Sequence, residues 1–149
     1  MIIPWIVYIL FLFPLVYIAI IDWREHIIPN KIIVPLIVLS LLIAILTGNG
    51  LSSLLGGLTG FGITIFPMLL KGSDKLGMGD VKFAIFLGTS LGWKGVIITI
   101  LLASLFAVIY FLYGRHKYNF DRTTRIPLAP FLVGGYSLTL VLGFIILTR

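Results

Sequence analysis

The chain has no cysteine, so disulfides and thiolate metal sites are excluded. Its two histidines, His26 and His116, lie far apart and form no metal-ligand spacing. Charge is scarce: 11% of residues are charged, against about 25% in an ordinary soluble domain. Acidic residues are scarcest, with five in 149 positions. Apolar residues make up 60% of the chain. This is the composition of an integral membrane protein, with length for one domain, residues 1–149. The net charge of +6 is better placed against the inner face of a bilayer than against nucleic acid, and no nucleic-acid partner is expected.

A spanning helix needs about 20 apolar residues. Ile2–Ile21, Leu51–Leu70, Gly95–Tyr113 and Pro127–Thr148 qualify, and Ile32–Thr47 is slightly short. Val81–Leu91 is shorter still, and Gly92-Trp93-Lys94-Gly95 after it has the look of a turn with an interfacial anchor. The alternative joins Val81–Tyr113 into one long helix. Ile2–Ile21 lacks the basic start and small-residue cleavage site of a signal peptide, and is read as a retained membrane helix. The expected fold is all-α, with six transmembrane helices and a short fourth. Six spans put nine of the 11 Lys and Arg residues on one side: Arg24, Lys31, Lys71, Lys75, Lys82, Arg115, Lys117, Arg122 and Arg125. Lys94 and Arg149 fall on the other. The rich side is the cytoplasm, and both termini are extracytoplasmic.

Two carboxylates stand at the edges of these spans. Asp22 closes the first, in Asp22-Trp23-Arg24-Glu25-His26-Ile27-Ile28-Pro29-Asn30, and Asp80 opens the fourth, in Gly77-Met78-Gly79-Asp80-Val81-Lys82. Ionisable groups at membrane depth mark function by default. Each alone has a plain structural reading: Asp22 as an interfacial partner of Arg24 or Lys31, Asp80 as an N-cap in a glycine turn. The topology puts both on the cytoplasmic face, where packing of the first and fourth helices would join them. Small residues at Gly56, Gly57, Gly60 and Gly62 of the third span would permit close helix approach. Such a pair can share one proton, activate water against a peptide carbonyl and protonate the leaving amine. A helix C-terminus disfavours a carboxylate and an N-terminus favours it, which casts Asp22 as the initial acid and Asp80 as the base.

Asp22 through Pro29-Asn30, then Gly77-x-Gly79-Asp80-x-Lys82, then Ile126-Pro127-Leu128-Ala129-Pro130-Phe131, resembles the type IV prepilin peptidases, membrane aspartic proteases of the GxGD group. The motifs occur in family order over nearly the whole chain. The resemblance implies that Asp22 and Asp80 are the catalytic pair. It implies cleavage of a short basic leader from a type IV pilin-like precursor, after a glycine, at the cytoplasmic face. Gly77, Gly79, Lys82, Pro29, Asn30, Pro127 and Pro130 are its motif and groove candidates. Many members carry a zinc-binding Cys-x-x-Cys domain, which this chain lacks, so it looks like a minimal peptidase core. Many also methylate the new N-terminus with S-adenosylmethionine; no cofactor motif for that step is visible, and proteolysis itself needs no cofactor or metal. Leu128-Ala129 stands where larger members commonly have Phe-Gly.

Lys82 stabilises the ionised form of Asp80, steers substrate, or simply orients the helix. Pro29 and Asn30 set the turn into the second helix, and Pro127 fits the first turn of the sixth. Asp74 belongs to a solvated Lys71–Lys75 loop. The basic cluster Arg115, Lys117, Arg122 and Arg125 suits anionic lipid headgroups. Two other readings stay open: a GxGD peptidase of archaeal preflagellin type, and a non-enzymatic proton-coupled transport subunit using the aspartates as a relay.

Overall fold

The computed structural model describes residues 3–71, 77–118 and 126–147. Among these, every regular element is a helix: α1 (Ile3–Leu10), α2 (Leu12–Glu25), α3 (Asn30–Leu46), α4 (Gly50–Lys71), α5 (Met78–Tyr118) and α6 (Ala129–Leu147). Asp74, Lys75, Arg122, Arg125 and Arg149 lie outside the described residues. α1 and α2 meet at Phe11, whose backbone stays helical. Pro14 follows one turn on and has no N–H for the carbonyl of Leu10. The first span therefore does not end at Asp22, as the apolar run implied. α2 continues to Glu25, and Asp22 sits in its last turn.

α5 is one 41-residue stretch interrupted at Gly92, with φ 72° and ψ 178°. That combination is open essentially to glycine alone. A straight helix rising about 1.5 Å per residue would hold Asp80 and Tyr110 about 45 Å apart. Yet Asp80 lines the same cavity as Asp22, and the Tyr110 ring lies 5.8 Å from that of Trp23, the very next residue. α5 thus folds back at Gly92 into two arms, 78–91 and 93–118. The break falls in the Gly92–Gly95 turn expected from the sequence.

The remaining contacts order the bundle. α4 runs against the first arm, where Gly56 meets Gly88 and Gly60 meets Ala84 backbone to backbone. A Cβ on Gly56 or Gly88 would collide with the carbonyl of the other. Gly56, Gly57 and Gly60 of the third span therefore serve the contact of α4 with α5, whereas Gly62 faces open space. Ser53 Oγ donates to the carbonyl of Thr89 at 2.6 Å, and the Ser40 and Thr89 hydroxyls pair at 2.6 Å, tying α3, α4 and α5 together. On the second arm, Thr99 Oγ1 donates to Thr139 Oγ1 of α6 at 2.9 Å. Interhelical hydroxyl bonds of this kind contribute about 0.6–2 kcal/mol each in a bilayer. α2 packs on α6, and the Tyr136 hydroxyl donates to the carbonyl of Tyr8. Leu15, Ile18, Ile33, Phe83, Phe86 and Tyr136 are wholly buried between these helices.

The outer surface is apolar: Phe13, Leu46, Leu51, Phe66 and Leu101 are among many large exposed side chains. Such a surface belongs against lipid. Val7–Glu25 and Met78–Lys117 are long and apolar enough to cross a membrane, while Asn30–Leu46, Gly50–Phe66 and Ala129–Ile145 are shorter apolar helices.

Candidate active site

At one end of the bundle, where α2 stops and α3 and α5 begin, lies a cavity of about 260 Å³. Asp22, His26, Ile27, Ile28, Asn30, Gly77, Met78, Gly79, Asp80 and Lys82 line it. The two carboxylates, 58 positions apart in the chain, face one space.

They are held differently. Asp22 is 5% exposed, and its Oδ2 accepts the backbone N–H of Ala129 at 2.9 Å. Ala129 is the first residue of α6, and its N–H has no partner within that helix. Pro130 follows it with no N–H at all. Asp22 therefore caps α6 from another helix, a charge-assisted bond when the carboxyl is ionised. This alters the helix-end argument made from sequence. Asp22 lies near the C-terminus of its own helix but meets the positive N-terminus of α6.

Asp80 is the third residue of α5, not its N-cap, and its backbone N–H bonds the carbonyl of Gly77 at 2.9 Å. Among the described residues its carboxyl has no hydrogen-bond partner and is half-buried at the cavity. The two glycines before it differ. A Cβ on Gly79 would lie 2.8 Å from Cβ of Ile28, whereas one on Gly77 would lie 3.6 Å from Asp80 Oδ2, an ordinary contact.

Asn30 opens α3, after Pro29 as its extended N-cap, and its Oδ1 accepts the Lys82 ammonium at 2.8 Å. His26 ends α2 in the left-handed region, φ 54° and ψ 36°, its N–H bonded to the carbonyl of Asp22. Of the residues singled out from sequence, the cavity gathers Asp22, Asp80, Gly77, Gly79, Lys82 and Asn30. Pro29, Pro127 and Pro130 do not line it. Pro127 precedes α6, and Pro130 is the proline in its first turn. His26, Ile27, Ile28, Met78 and the Ala129 N–H were not foreseen. Ile28 and Ala129 carried no signal, because their roles depend on which backbone meets them in space. Among the described residues, no group of three or more His, Cys, Asp or Glu is placed to hold a metal ion.

Fold and cavity together define an all-helical membrane protein with two carboxylates on one pocket at the end of its bundle. The profile of the type IV leader peptidase family matches residues 9–112, and the chain belongs to that family. It is 28% identical over 137 residues to a "Prepilin leader peptidase/N-methyltransferase" of Aeromonas salmonicida, covering 87% of this chain and 46% of that protein. A protein of the same name from Pseudomonas aeruginosa is 28% identical over 131 residues, covering 84% and 45%. One from Xanthomonas campestris is 30% identical over 122 residues, covering 75% and 41%. The chain thus spans about half the length of the curated relatives it matches. No solved structure matches it.

Proposed function

We propose that this protein is a membrane aspartic endopeptidase that removes the leader of type IV prepilin-like precursors, cutting after a glycine at the cytoplasmic face. The observation that carries the reading is the meeting of Asp22 and Asp80 on one cavity at the end of the bundle. Family membership adds the substrate class. In this reading α1 with α2, α3, α4, the two arms of α5, and α6 make six crossings of the cell membrane. Both termini are extracytoplasmic, and the cavity opens toward the cytoplasm, the side richer in Lys and Arg.

In this reading the pair shares one proton between its two carboxyl groups. The ionised carboxylate takes a proton from water as the oxygen attacks the scissile carbonyl. The protonated partner donates to the carbonyl oxygen. Collapse of the tetrahedral intermediate breaks the C–N bond, and the amine leaves with a proton from the dyad. Asp22 Oδ2 is occupied by Ala129, which leaves the other oxygen of Asp22 for this exchange.

The test is incubation of the purified full chain in detergent with a prepilin, with the cut located by mass spectrometry. Asp22→Asn and Asp80→Asn should each abolish cleavage; near-normal turnover in either overturns the mechanism. Cleavage of a preflagellin in preference to a prepilin would move the chain to the other substrate class. Proton flux in proteoliposomes without cleavage would favour the transport reading. S-adenosylmethionine enters only if the same spectra show a methyl mass shift on the new N-terminus.

A further inference from the structure

Asp22 is fixed through its own carboxylate, by the N–H of Ala129. Asp80 has no such tether among the described residues, so its place depends on the backbone of the first turns of α5. α4 holds the arm farther along, at Ala84 and Gly88, and the segment that follows Asp22 along the chain grips its first turn. His26 reverses the chain in a left-handed conformation. Ile28, 7% exposed, packs onto Gly79, and Asn30 Oδ1 accepts the Lys82 ammonium at 2.8 Å. Gly79 and Lys82 are three residues apart, on one face of α5, and Asp80 lies between them.

With the arm anchored farther along by α4, the apolar contact at Gly79 alone still leaves its first turn free to fray and twist. A directional hydrogen bond one turn on removes that freedom. We propose that Asn30 and Lys82 form a positioning latch that fixes the start of α5 and so holds Asp80 in register with Asp22. The inference rests on the dyad reading above. Neither Asn30 nor Lys82 is a catalytic residue in it; each acts through Asp80. The rival role for Lys82 is direct contact with substrate through the ammonium hydrogens that Asn30 leaves unused. The two roles separate because a substrate ligand does not need Asn30.

The experiment compares Asn30→Ala, Lys82→Met, the double variant and Lys82→Arg with the wild-type chain in detergent. The latch predicts that each single loss lowers kcat at least about tenfold, since small displacements at a reacting pair are costly, with little change in KM. The double variant should be no worse than either single one, because both break the same bond. Lys82→Arg, which can still donate to Asn30, should retain most activity. Additive losses, or a raised KM confined to Lys82→Met, overturn the latch in favour of substrate contact. Hydrogen exchange of the 79–82 amides, measured without substrate, should quicken in both single variants; unchanged exchange also overturns it. Failure of the wild-type chain to cut a prepilin defeats the peptidase reading instead, and exchange still decides the latch.

Discussion

Replacing Gly79 by alanine adds one methyl group, yet the structure leaves no room for it. The new Cβ would lie 2.8 Å from Cβ of Ile28, 3.3 Å from its Cγ1 and 3.5 Å from its Cδ1. The first of these is at least about 0.6 Å inside an ordinary contact between carbons. Ile28 cannot swing clear, because its Cβ is bonded directly to the backbone. Either the α2–α3 turn or the start of α5 must move, and α5 carries Asp80 as the next residue. Overpacking of this kind costs about 1–3 kcal/mol in stability. A displacement approaching 1 Å between reacting groups costs about 10²-fold in rate, or about 2.7 kcal/mol of barrier. Gly77→Ala is the control: its methyl would meet Asp80 Oδ2 at 3.6 Å, and its φ is not positive. Prepilin cleavage in detergent should therefore fall about 10²-fold in Gly79→Ala and much less in Gly77→Ala. The geometry also dictates the form of the rescue. Ile28→Ala keeps the colliding Cβ and should restore nothing, whereas Ile28→Gly removes it and should restore part of the rate to Gly79→Ala. Equal damage from the two glycine substitutions, or rescue by Ile28→Ala as good as by Ile28→Gly, would refute the reasoning.

Two further outcomes follow from the same structure. Asp22→Ala should lower stability in thermal unfolding by about 1–3 kcal/mol, because the buried N–H of Ala129 loses its acceptor. Asp22→Asn retains an acceptor oxygen and should unfold close to wild type, although the proposed mechanism requires both variants to be inactive; equal stability of the two would contradict the capping role. Gly92→Ala forces a side chain into a glycine-only conformation and brings a methyl to 2.6 Å from Ser52 Oγ. Its unfolding midpoint in detergent should drop by the equivalent of about 1–3 kcal/mol, and an unchanged midpoint would argue against the fold-back at Gly92.

Much of the scaffold was legible because hydrophobic length is a strong signal. The runs Ile32–Thr47 and Leu51–Leu70 match α3 and α4 to within two residues at each end. The Gly92 turn was legible because glycines flank an interfacial Trp-Lys pair. The end of the first span was misplaced, since apolarity stops at Ile21 while helical hydrogen bonding continues to Glu25. Pro127 was assigned to the first turn of the last helix, where Pro130 stands instead; both prolines suit a helix start, and only the backbone distinguishes them. The two aspartates and the Gly77–Lys82 motif stood out as polar residues in an apolar chain. Ile28 and the Ala129 N–H did not, since an isoleucine or an alanine in such a sequence carries no mark of what it touches.

The bond from Ala129 to Asp22 has a consequence for how this protein can diverge. One carboxylate belongs to the architecture as well as to the proposed chemistry, while the other has no hydrogen-bond partner among the described residues. Selection for a folded bundle would keep an acceptor at position 22 even in a descendant freed from any catalytic duty. Position 80 has no such second claim on it among the described residues. A lineage giving up proteolysis should therefore lose Asp80 first and keep Asp22, or an asparagine, long afterwards. Asp22 by itself would then be a poor marker of an active descendant, and Asp80 the better one.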